Sequence, residues 1–273
     1  MAEVHHFTYG WVTPVLAYAL SVLGSLLGLT CAVRVHEAST PGRRAWWLIL
    51  AAWAIGGTGI WVMHFMAMLG FAVVGSQIRY DVPETAASAV VAITVVGIGL
   101  FIVGMGRPTK LKIAIGGLIT GLGVNAMHYL GMSAMRLDGE VMYDRTLVAA
   151  SIGIAVVAAT VALWLAVTVR GAMAIFGSAL VMGVAVCGMH FTGMAAMRVQ
   201  LHEPGVLAGA TASTLLVPIV LAVIFVMVGL VYAVLAAPTE EDRAAAAYLA
   251  ARMADREAAA PAVDRRGTIG SPR

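Results

Sequence analysis

The chain has 273 residues, of which 61% are apolar and 11% charged, with a net charge of +3 and a mean hydropathy of +0.92. A soluble domain carries about a quarter charged residues, so this composition cannot cover a water-facing surface. That excludes a soluble enzyme, a nucleic-acid binder and a disordered chain, and it names the lipid bilayer as the surrounding partner. Two cysteines, Cys31 and Cys187, are too few for a secreted disulfide framework.

Seven stretches reach the roughly 20 residues that cross a bilayer. In chain order they are Trp11–Val33, Trp46–Val74, Ser88–Gly106, Leu111–Met135, Thr146–Val169, Ala172–Met197 and Ala210–Ala236. The expected fold is an all-α polytopic membrane protein of seven transmembrane helices. Residues 1–10 carry no Lys or Arg, and the apolar run after them is too long for a signal peptide. Arg34, Arg43, Arg44, Arg107, Lys110, Lys112 and Arg170 fall in the links on one side. The links on the other side hold Asp81, Glu84, Asp138, Glu140 and Asp144. By the positive-inside rule the N-terminus is expected outside and the C-terminus inside. The division is then 1–10 outside, 11–209 a six-helix membrane domain, 210–236 a seventh span, and 237–273 a cytoplasmic tail. In the tail, Pro238 ends the seventh span, and Thr239 with Asp242 approximates a capping box. Residues 240–260 are expected helical and Pro261–Arg273 disordered. A tail of this length is too short for an ordinary output domain, so no enzyme is expected here.

An internal repeat organises the membrane part. Met63-His64-Phe65, Met127-His128-Tyr129 and Met189-His190-Phe191 share one pattern. A Gly precedes each His by seven positions (Gly57, Gly121, Gly183), and a Met follows by four (Met68, Met132, Met194). Two copies add a Met seven positions on, Met135 and Met197, where the first copy has Phe71. The unit is one helical hairpin, so the fold is three two-helix repeats plus one extra helix. All three hairpins share one orientation, which allows a pseudo-threefold axis along the membrane normal. At 100° per residue, Gly, His and Met fall on one stripe. The three imidazoles are expected at one level in the outer part of the membrane. Position −3, which holds Trp61, Asn125 and Cys187, is expected to face the same seam.

An ionisable residue within a span is a functional hypothesis by default. A lone His in a bundle is more often an interhelical hydrogen-bonding group, but threefold repetition turns the reading toward a shared metal or ligand site. The candidate ligands are His64, His128 and His190, with Met68, Met132, Met194, Met135 and Met197 as secondary ligands and Cys187 and Asn125 as additional ones. Imidazole with thioether suits Cu(I), so copper is the expected cofactor; His/Met-ligated haem is the alternative. Met66, Met105, Met173, Met182 and Met227 read as packing. Phe65, Tyr129 and Phe191 read as interface anchors, and the acids Asp81, Glu84, Asp138, Glu140 and Asp144 as solvated loop charges. His5, His6, His36 and His202 carry no assigned role.

These residues resemble the MHYT family of bacterial integral membrane sensors, named for a Met-His-Tyr-Thr motif. Met127-His128-Tyr129-Leu130 and Met189-His190-Phe191-Thr192 are close variants, and Met63-His64-Phe65-Met66 departs further. The resemblance covers about Trp11–Met197. It implies a six-helix core in the bacterial cytoplasmic membrane, copper binding, and sensing of a diatomic gas such as O2, CO or NO. Many such proteins are fused to cyclic-di-nucleotide enzymes or kinases, so this chain is expected to signal through a cytoplasmic partner. Copper transport or handling is the competing function.

Overall fold

A computed structural model describes residues 2–203, 205–237 and 240–259. Pro238, Thr239 and Pro261–Arg273, on which the expected cap and disordered tail rest, lie outside the described residues. The chain forms two compact units, Met1–Tyr232 and Ala233–Arg273.

Among the described residues, seven helices are long and apolar enough to cross a membrane. They are α1 (Val12–Glu37), a second span running Pro41–Met68, α4 (Val82–Gly104), α5 (Lys110–Ser133), α6 (Arg145–Thr168), α7 (Ala172–Ala195) and α8 (Ala212–Leu235). The second span is composite: α2 (Pro41–Ala52), a π-helical segment (Trp53–Val62) and α3 (Met63–Met68). Helices suit these sequences because hydrocarbon offers backbone groups no partner outside the segment. The second unit contains α9 (Glu240–Ala259), close to the expected range.

Three helix boundaries differ from expectation by five or six residues, and local chemistry explains each. The second span begins at Pro41 rather than Trp46, because Thr40 accepts from the Arg43 N–H and Pro41 sits in the first turn. The second helix stops at Met68, short of Val74, because Ala72–Val73 forms a strand. The third span begins at Val82 rather than Ser88, because Asp81 accepts a hydrogen bond from the Glu84 N–H at 3.0 Å and Pro83 sits in the first turn. Asp144 caps α6 in the same way, accepting from Thr146 and Leu147. Ahead of α7, Gly171 adopts φ of +82°, a conformation that favours glycine.

Three antiparallel strand pairs, which apolar periodicity does not announce, close one end of the bundle. β1 (Val4–His5) pairs with β2 (Ala72–Val73), β3 (Arg79–Tyr80) with β4 (Met135–Arg136), and β5 (Gly139–Tyr143) with β6 (Met197–Leu201). In each repeat the strand before the first helix therefore pairs with the strand after the second. Arg136 bridges Asp81 and Glu84 at 3.2 and 2.7 Å, and Arg198 lies 3.9 Å from Asp144. The acids are thus cap and clasp groups, consistent with loop charges.

The six repeat helices form a closed ring: α1, the second span, α4, α5, α6, α7 and back to α1. Small residues permit the close crossings. A Cβ at Gly24 would strike the backbone of Gly59. One at Gly121 would strike the backbone at Val156 of α6, and one at Gly183 would strike Tyr18 and Val22 of α1. The helix α8 packs outside the ring, where the Thr58 hydroxyl donates to Met227 Sδ at 3.6 Å.

Candidate metal centre

The second span, α5 and α7 each bring one histidine to the centre of the ring. His64, His128 and His190 are 3%, 0% and 1% exposed. Their ring centroids are 4.9–5.1 Å apart and the rings meet nearly edge to face. The Nδ1 atoms converge: His64 Nδ1 is 3.0 Å from His190 Nδ1 and 3.1 Å from His128 Nδ1. A set of ligand nitrogens, one from each ring, lies within 4.8 Å of one another. The expected single level and common axis are what the fold produces.

The Nε2 atoms point outward, and each is buried without a hydrogen-bond partner. Their surroundings reveal a feature the motif reading missed. A Cβ on Gly131 would collide with His64 Nε2, and one on Gly193 would collide with His128 Nε2. Each glycine follows the His of its own helix by three positions and admits the imidazole of a neighbour. Ala67 holds that position in the first copy. The small residue at +3 in all three copies was the available signal. The expected −7 glycines instead serve the outer helices. Gly57 is not even tightly packed, since its nearest neighbour is Ile93 at 3.7 Å, because the π segment's wider turn breaks the 100° rule there.

The five methionines assemble one layer beyond the histidines, toward the strands. Met68, Met132, Met194, Met135 and Met197 are all 5% exposed or less and form one apolar cluster with Phe65, Phe71 and Tyr80. Phe71 completes the +7 level.

Position −3 corrects the expectation. Asn125 Nδ2 donates to Ser151 Oγ of α6 at 3.1 Å, and Trp61 Nε1 donates to Ser88 Oγ of α4 at 2.9 Å. These hydrogen bonds join a span to the next outer helix. A residue at −3 sits 60° from the His stripe, enough to aim at a neighbouring helix. Cys187 packs with Ala17, Met63 and Ala67. The aromatics are not interface anchors. Phe65 is buried, Tyr129 stands edge-on to His128 and shares Ser151 Oγ at 3.0 Å, and Phe191 stands edge-on to His190. Of the remaining histidines, His6 lies by Phe71 at the strand end, where partial burial lowers its pKa, and His36 Nδ1 lies 3.2 Å from the Ala32 carbonyl.

This arrangement suits a metal ion. A neutral imidazole Nδ1 has either one proton or one lone pair in the ring plane. His64 Nδ1 faces two nitrogens, so it cannot satisfy both by hydrogen bonding. With the proton of each ring on Nε2, the three Nδ1 atoms would present convergent lone pairs on borderline-soft nitrogen, with thioethers in the next layer, a donor set that could hold a cation.

The sequence profile of the MHYT family, described as "Bacterial signalling protein N terminal repeat", matches three times, over residues 57–117, 121–179 and 183–250. The chain belongs to this family. Each matched unit begins in a helix that carries a histidine; the first two run into the next hairpin, and the third runs along the chain through α8 into α9. Over 200 residues the chain is 38% identical to the bifunctional diguanylate cyclase/cyclic di-GMP phosphodiesterase MucR of Pseudomonas aeruginosa, covering 71% of this chain and 29% of that protein. It is 34% identical over 197 residues to the cyclic di-GMP phosphodiesterase NbdA of the same species, covering 70% and 24%. It is 30% identical over 198 residues to the signaling protein YkoW of Bacillus subtilis, also covering 70% and 24%. The chain thus spans less than a third of the length of these relatives. No solved structure matches. The chain is a multi-pass bacterial membrane protein.

Proposed function

We propose that the chain is a membrane sensor that holds one copper ion on His64, His128 and His190 and responds to a diatomic gas, O2, CO or NO. The observation that carries this reading is the convergence of three buried Nδ1 atoms at 3.0 and 3.1 Å, with no proton arrangement that satisfies them. Soft-donor chemistry favours copper over Mg2+ or Ca2+, which take oxygen ligands. Ring centroids 4.9–5.1 Å apart leave no slab for a porphyrin between the histidines, which favours an ion over haem. Copper would supply a soft centre with a coordination position open to a diatomic ligand.

The protein's own groups do the rest. The three Nδ1 atoms fix the centre, and Gly131 and Gly193 let the rings approach. Met68, Met132 and Met194 exclude water from the strand side and offer thioethers to Cu(I). A change at the centre shifts the seam between the second span, α5 and α7 and biases two packings of the hairpins. The π segment leads straight into His64, and π turns are concentrated at functional sites. Thr58 within it contacts Met227 of α8, which connects the centre to the helix that leads to the tail. In this reading the positive-inside rule puts the N-terminus outside and the tail inside, where a partner reads the signal, and the chain is not itself an enzyme. The methionine layers support one second reading, copper handling, in which the thioethers pass Cu(I) to the histidines.

Carbon monoxide tests the sensing reading. Protein loaded anaerobically with Cu(I) is expected to give one saturable C–O stretching band per copper, absent from His128→Ala. A copper-loaded protein that gives no band contradicts gas sensing, and copper efflux altered in a deletion strain supports handling instead.

A further inference from the structure

We infer that the gas reaches the histidines from inside the membrane, through a gap between α6 and α7, and not from water. The inference rests on the gas-sensing reading and adds the route. On the strand side, the approach is sealed by the methionine layers and Phe71, all buried. On the other side, an apolar cavity of about 50 Å3 lies among the helices that carry the histidines, lined by residues one turn before each of them and not by the histidines themselves. Its wall includes Ile60, Val124 and Val186, each four positions before its His and so one turn below it, together with Met189. The repeat that places three nitrogens above therefore places three branched apolar side chains beneath them.

This cavity has a neighbour. Ala158, Met182 and Ala185 line both the cavity and a groove between α6 and α7. The groove opens among Val157 and Val181, which are 64% and 57% exposed on the face turned to lipid. Between the two spaces stand the half-buried, short side chains of Ala158 and Ala185 and the buried, flexible side chain of Met182, whose rotation sets the width of the passage. An apolar space of this kind stays dry and takes apolar atoms, whereas a hydrated ion or polar effector would lose its hydrogen bonds on entry. The path thus selects small uncharged ligands that dissolve in lipid, and it admits them without opening the strand end.

Dissolved O2 is the probe, used on metal-free protein in micelles with methyl-labelled methionine. Its paramagnetism relaxes methyl groups that it can reach. Met189 on the cavity wall is expected to relax several-fold more than the equally buried Met63, with Met173, 83% exposed, as the outside reference. Ala158→Phe is expected to cut the Met189 effect at least threefold and leave Met173 unchanged. Ala185→Leu, a smaller change, is expected to do the same in part. A Met189 effect no larger than that of Met63, or one that both folded variants leave unchanged, overturns the route. In Cu(I)-loaded protein, Ala158→Phe is expected to slow CO association about tenfold at unchanged equilibrium affinity. If no variant binds CO while the O2 result holds, the sensing reading fails and the route stands.

Discussion

The second span and the pair α5 and α7 do the same job with different backbones. All three deliver a histidine to one point, yet α5 and α7 are regular α-helices whereas the second span passes through ten π-helical residues before His64. The second span also carries Ala67 where the others have Gly131 and Gly193, and Phe71 where they have Met135 and Met197. The constant parts are the ones that touch the centre. The variable parts surround it, and they concentrate in the helix that contacts α8. Threefold chemistry is thus held by a bundle that is not threefold, and the departure marks the helix best placed to transmit a change.

The sharpest way to break this comparison is to remove the histidines one at a time. Because each contributes one nitrogen to one centre, His64→Ala, His128→Ala and His190→Ala are each expected to weaken Cu(I) affinity at least tenfold in a chelator competition. A His64 variant that alone retained affinity would make the second span a bystander. The next test concerns the +3 residues. Gly193→Leu forces a side chain into the His128 ring, and overpacking of this sort costs about 1–3 kcal/mol. Ala67→Gly in the second span is expected to cost no more than about 1 kcal/mol. Thermal unfolding in detergent reads both, and equal losses would show that the three niches are not built alike. A smaller effect is expected at the outer struts. Asn125→Leu removes the bond to Ser151, which keeps Tyr129 and the Val148 carbonyl as partners, so the loss is about 1 kcal/mol with copper content unchanged.

The smallest effect separates the strand end from the core. Asp81 is held below the ordinary carboxylate range, first by the Glu84 N–H and then by Arg136. Its folded pKa is depressed, so its contribution is present above the unfolded value of about 3.9 and lost as pH falls through the folded one. Asp81→Asn is expected to narrow the gap in stability between pH 6 and pH 3, and an unchanged gap would remove Asp81 from the clasp.

Much of the fold was legible because lipid imposes a simple rule: seven apolar runs give seven spans. Their ends were less so, because Asp81 and Asp144 set them by capping and the strands by pairing, neither of which hydropathy reports. The histidine triad was legible because a repeat places equivalent residues at equivalent depths. Its supporting residues were not. The 100° rule assigned Gly57 and Asn125 to the inner face, but a π segment misplaces the first and an angular offset turns the second toward Ser151. Gly131, Gly193 and the trio Ile60, Val124 and Val186 stood in the sequence at fixed offsets from each His, yet only the packing gives those offsets meaning.

In the proposed site three imidazoles hold one copper ion. Copper and protein quantified together in detergent-purified wild type and in the His64→Ala/His128→Ala/His190→Ala variant test it most directly. The account predicts about one copper per wild-type chain and almost none in the folded variant. Equal copper in both, or none in either, would contradict it.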